Sequence, residues 1–101
     1  MGNYADVITA DIRLVLLRFL MESDGDYRLN SSILHKLLDM KAGYTTPRDK
    51  MVTELFWLKE QGLIELDESG NIYIATLTLR GMDIASGSAR LPGVARPSPR
   101  N

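Results

Sequence analysis

Residues 45–65 read Thr45-Thr46-Pro47-Arg48-Asp49-Lys50-Met51-Val52-Thr53-Glu54-Leu55-Phe56-Trp57-Leu58-Lys59-Glu60-Gln61-Gly62-Leu63-Ile64-Glu65. The stretch contains a helix, its stop and the first residues of a strand. A threonine N-cap followed by proline at the first helical position is a strong start signal, because the hydroxyl meets one orphan N–H and proline removes another. Asp49 then sits where a carboxylate complements the helix dipole. Val52, Leu55, Leu58 and Met51 form the expected buried stripe, with Arg48, Lys50, Thr53 and Glu54 mainly away from it. Gln61-Gly62 ends the helix. Leu63–Asp67 reads as a strand, Glu68-Ser69-Gly70-Asn71 as a turn and Ile72–Thr76 as the returning strand of a hairpin.

Upstream, a first helix is expected from Tyr4 to about Glu22. Ile8, Ile12, Val15, Leu16 and Phe19 follow one helical stripe, and Val7, Leu14, Leu17 and Met21 form a second. Such a helix is either buried centrally within one subunit or covered by a partner, since exposing both stripes would leave an unusually large apolar patch. The second stripe is therefore the candidate interface of a homodimer. Asp24-Gly25-Asp26 breaks the helix through turn chemistry, and Tyr27-Arg28-Leu29 is a short extended piece. Asn30 is a good N-cap for a second helix over 31–41, with Gly43 suited to its stop. Downstream of the hairpin, Thr78 caps a short last helix ending near Ser86.

The chain has 101 residues, no cysteine, one histidine and a net charge of −1. That length suits one domain. The composition excludes a disulfide scaffold, a thiolate site and a histidine cage within one chain. No apolar run approaches the ~18 residues of a membrane span. Met1–Asp6 lacks the basic start of a signal peptide, so a soluble, intracellular protein is expected. The charge is unevenly placed. Residues 1–86 hold all 13 acids and nine of the 12 cations, a net of −4, whereas residues 87–101 hold Arg90, Arg96 and Arg100, no acid and three of the four prolines. The latter segment is expected to be a basic, mostly extended tail.

The order of elements, mainly α with a small β-hairpin (α+β), is that of a winged helix-turn-helix domain over residues 1–86. Leu58-Lys59-Glu60-Gln61-Gly62-Leu63-Ile64-Glu65 resembles the end of the recognition helix in MarR-like and ArsR-like regulators. Ala75-Thr76-Leu77-Thr78-Leu79-Arg80-Gly81 is similar to the strand exit after the wing. More narrowly, Phe56–Leu63, Ala75–Thr78 with Arg80-Gly81, Leu91-Pro92-Gly93-Val94 and Arg96-Pro97-Ser98-Pro99 resemble small winged-helix proteins of Mu-like phages and prophages, often labelled ArsR-like transcriptional regulators. The resemblance implies a phage protein in a bacterial cytoplasm. The metal ligands of metal-sensing ArsR proteins are absent, so metal sensing does not carry over.

A recognition helix meets base edges and phosphates with its N-terminal residues. Thr45, Thr46, Arg48, Lys50 and Thr53 are therefore the candidate contacts to double-stranded DNA, with Ser31 opening the preceding helix and Arg90 and Arg96 on the tail. Against this stand the acidic hairpin tip, Asp67-Glu68, and the balanced charge of the helix itself. A protein-binding adaptor, acting on host machinery or in a packaging complex, is the alternative, and an exposed Phe56 or Trp57 would favour it. His35 reads as packed or solvated. The carboxylate pairs Asp24/Asp26 and Asp67/Glu68 lie in turns and form no acid/base or metal pattern. No enzyme activity and no cofactor or metal is expected.

Overall fold

The computed structural model describes residues 3–98. Its elements run α1 (Tyr4–Glu22), β1 (Arg28–Asn30), α2 (Ser31–Met40), α3 (Arg48–Glu60), β2 (Ile64–Ser69), β3 (Ile72–Leu77) and α4 (Leu79–Ser86). Local chemistry accounts for most of the boundaries. Asn3 and Asp6 form a reciprocal capping box at the start of α1. The Asn30 side chain accepts from Ile33 N at 2.9 Å, and Thr78 accepts from Gly81 N at 3.0 Å.

The junction between α3 and β2 is a Schellman motif. Leu63 N donates to Leu58 O at 3.0 Å and Gly62 N to Lys59 O at 2.9 Å, with Gly62 at φ +77. Leu58 and Leu63 are both fully buried, which supplies the apolar contact that accompanies this motif. The Leu58–Leu63 spacing therefore turns the chain from helix into wing at a fixed angle.

Several features differ from the sequence reading. First, the sheet has three strands in the order β1-β3-β2, all antiparallel, because the short piece after α1 pairs with the hairpin. Leu29 and Leu66 both register with Ala75, so these three share the inner face with Ile64 and Leu77. Second, α3 starts one residue later than expected. Pro47 is the N-cap without a side-chain cap bond, and its carbonyl accepts from Met51 N at 3.1 Å. The Thr46 hydroxyl is turned back to Tyr44 O, and its carbonyl faces His35 Nε2 at 2.6 Å. Third, Leu14 and Leu17 are only 5% and 0% exposed. The second stripe of α1 is thus covered by the chain's own core, and these two residues are withdrawn from any dimer interface. Met21 is half-buried, leaving Val7 as the one exposed member. No helix among the described residues is long and apolar enough to cross a membrane.

Fourth, residues 87–98 do not form a free extended tail, while Arg100 lies outside the described residues. After Gly87 ends α4 in the left-handed region, the chain folds back over α1 and α3. Val94 is buried in the core and Leu91 and Ala95 pack against it. Ala95 N donates to Ala10 O at 3.1 Å, and Arg13 Nη1 donates to Gly93 O at 2.9 Å. Gly93 is at φ +97, and a Cβ there would lie 2.9 Å from the Trp57 ring. Small apolar residues between prolines thus find enough surface to dock, which the arginine and proline count of the segment conceals.

Glu54, expected to lie away from the stripe, is 2% exposed. Arg13 Nε meets its Oε1 at 2.6 Å and Lys50 Nζ meets its Oε2 at 2.7 Å. Lys50 also donates to Thr9 Oγ1 at 3.2 Å. The Arg13 guanidinium stacks over Trp57 at 3.7 Å from the ring centroid. Burial pushes the Glu54 carboxyl up, but the hydrogen bonds and charges of Lys50 and Arg13 outweigh it and hold the group below the usual value.

Two outcomes are expected. Alanine at Gly81 would place its Cβ 2.0 Å from Leu63 O, so Gly81→Ala should lower the urea midpoint. Backbone at that distance has no rotamer to give, and the loss should reach about 2 kcal/mol or more. Glu54→Gln should cost ~3 kcal/mol at neutral pH, because it leaves Arg13 short of a partner. The folded-state carboxyl titrates below its unfolded value, so its contribution is complete above the unfolded pKa of about 4.3 and is lost as pH falls through the folded value. The gap between wild type and Glu54→Gln in denaturation midpoint should therefore close in acid.

Candidate nucleic-acid interface

The first turn of α3 meets the hairpin turn Gly70-Asn71, and the start of α2 adjoins β3 beside it through Ser31 and Tyr73. Arg48 is exposed on that first turn, and its guanidinium donates to Asn71 O at 3.3 Å, joining the helix start to the wing. Asp49 is exposed beside it and accepts from Lys50 N at 2.9 Å. The N–H of Lys50 is thus already satisfied, and a negative charge stands where a phosphate would approach.

The remaining candidates are placed less favourably. Ser31 is fully buried and accepts from Tyr73 N at 3.0 Å, which removes it as a phosphate contact. Its hydroxyl ties α2 to β3. Lys50 is engaged by Glu54 and Thr9, so much of its charge is paired although its side chain remains partly exposed. The hydroxyls of Thr45, Thr46 and Thr53 each have one proton, and each is already donated within the chain, to Asp39, Tyr44 O and Asp49 O respectively. Of the α3 contacts expected from sequence, Arg48 alone keeps an exposed donor fork facing outward.

Tyr44 anchors the loop that leads into α3. Its hydroxyl donates to Asp11 Oδ2 on α1. That hydrogen bond, with burial and the Asp11 charge, pushes the phenol up to about 12. Phe56 is 37% exposed and stands edge-on to Tyr73, with ring centroids 5.3 Å apart. Trp57 is half-buried under Arg13 and Gly93, so the tail accounts for it. From Leu63 to Leu77 the hairpin carries Glu65, Asp67 and Glu68, all exposed, and no lysine or arginine.

Arg90 and Arg96 are exposed on the docked C-terminal segment. Two cations missed in the sequence, Arg18 and Lys41, line the same groove as Arg96. They lie 23 residues apart in no shared motif, so only the fold brings them together. Among the described residues no group of three or more histidine or acidic side chains could hold a metal ion.

No family model matches the chain. It is 43% identical over 95 residues to the uncharacterized protein gp26 of Escherichia phage Mu, covering 94% of this chain and 96% of that protein. It is 35% identical over 100 residues to an uncharacterized protein of Haemophilus influenzae, covering 98% of this chain and 95% of the relative. Among solved structures it resembles RosR of H. salinarum, with a TM-score of 0.67 at 19% identity over 76% of this chain and 67% of that one. The complex structure of hsRosR-S1 gives 0.68 at 18% identity, over 82% and 71%. At that identity the likeness shows the fold, a winged helix. The near full-length match to the Mu protein shows the family: this chain belongs to the gp26 family of phage Mu.

Proposed function

We propose that the protein binds double-stranded DNA through α3 and acts for a Mu-like phage or prophage, as an ArsR-like transcriptional regulator or a DNA-handling accessory. The observation that carries this reading is the exposed first turn of α3, with Arg48 beside the hairpin turn in a winged-helix frame. Arg48 is the residue able to take guanine O6 and N7 with a planar fork. The docked segment adds Arg90 and Arg96 to the charge available for phosphates. A homodimer would draw on Val7 and the neighbouring Tyr4, 60% and 81% exposed, in place of the buried Leu14 and Leu17.

A second reading, a protein-binding adaptor for a phage or host partner, is favoured by the exposed Phe56 edge next to an acidic hairpin. Fluorescence anisotropy on random-sequence duplex DNA across a salt series separates the two. The DNA reading expects binding at low salt that weakens steeply as salt rises. Arg48→Ala should lower affinity roughly tenfold or more, in line with ~1–3 kcal/mol for a base-contacting arginine. Absence of binding at low salt would overturn the DNA reading and is what the adaptor reading expects.

A further inference from the structure

The charges that remain available are on the wrong side for a wing-led DNA complex. The hairpin is purely acidic, whereas Arg18, Lys41 and Arg96 line one groove of about 320 Å³ beside α1. Arg96 also lines an adjoining groove of about 390 Å³ with Arg90. The shared arginine makes the two grooves one band of four cations. The acids on this band are Asp11, which is occupied by the Tyr44 hydroxyl, and Glu22, which is 3.9 Å from Arg18 in an exposed pair. Exposed pairs at that distance hold their cation weakly. Among the described residues Lys41, Arg90 and Arg96 enter no salt bridge.

We infer that Arg18, Lys41, Arg90 and Arg96 form a second phosphate-binding surface, which holds the sugar–phosphate backbone of the duplex whose groove α3 enters. Three observations place it. Lys41 caps α2 and opens the loop, residues 41–47, that leads into α3, so one end of the band is tied by a short connection to that helix. The docked segment is fixed to α1 through Ala95 N and Ala10 O and to Arg13 through Gly93 O, so Arg96 is held against α1 and does not swing on a free arm. The ordering cost of that segment is thus met on folding and is not charged to binding. The acidic hairpin repels phosphate on the wing side, whereas this band groups four solvent-accessible cations whose contacts would release counterions.

This inference rests on the DNA reading, and one experiment tells their failures apart. The salt dependence of duplex affinity is measured for the full chain, for Arg90→Ala/Arg96→Ala and for Arg18→Ala/Lys41→Ala, with circular dichroism confirming that each is folded. Each double variant should reduce the slope of log affinity against log salt by about 2, one unit per lost phosphate contact. Sodium polyglutamate at matched charge should compete far less well than unlabelled duplex. Unchanged slopes in both variants, with binding intact, would overturn the band and leave the role of α3 standing. Equal competition by polyglutamate would also overturn it, as a generic anion surface. Loss of all binding by the full chain at low salt would overturn both proposals.

Discussion

A carboxylate with almost no access to water costs several kcal/mol unless cations meet its oxygens. In Glu54 both are met, one by Arg13 and the other by Lys50. The consequences spread through the molecule. Arg13 belongs to α1 and Glu54 to α3, so the pair sets how the candidate recognition helix lies on the first helix. The same guanidinium stacks on Trp57 and donates to Gly93 O, which fastens the C-terminal segment across both helices. Lys50 completes the set, so a cation on the first turn of α3 already carries a carboxylate partner.

That arrangement leaves a small domain with a divided surface. Four cations group where α1, the end of α2 and the docked segment meet, and the hairpin carries acids and no cation. Under the proposed DNA reading, an acidic wing means that electrostatic affinity has to come from elsewhere on the surface, since phosphate neutralisation supplies much of the affinity of most DNA-binding proteins. The hydroxyls of Thr45 and Thr46 are spent on the loop that precedes α3, and that of Thr53 within the helix. They contribute to the rigidity of the face and not to its list of contacts.

Much of the fold was legible because its signals are local. Asn30 and Thr78 cap the helices they were expected to cap, and Gly62 ends α3 because a left-handed residue lets Leu58 and Leu63 meet. The site was far less legible. Ser31 is an ordinary exposed residue type that becomes buried against a strand 42 positions away, and Lys50 pairs with Glu54 one helical turn on only because that carboxylate is itself buried against α1. The Glu54–Arg13 pair has a separation of 41, beyond any helical or strand period.

The amino-acid sequence by itself determined the helices, the hairpin and the turn between α3 and β2, since each follows from propensity, capping and periodicity within a few residues. It also carried the relationship to the phage Mu protein. Only the tertiary structure decided that the second stripe of α1 is covered from within, that residues 91–95 dock, and which cations face solvent. Those outcomes depend on which distant groups meet, because a buried carboxylate must find cations and an apolar stripe must find cover. Neither requirement names its partner in the sequence.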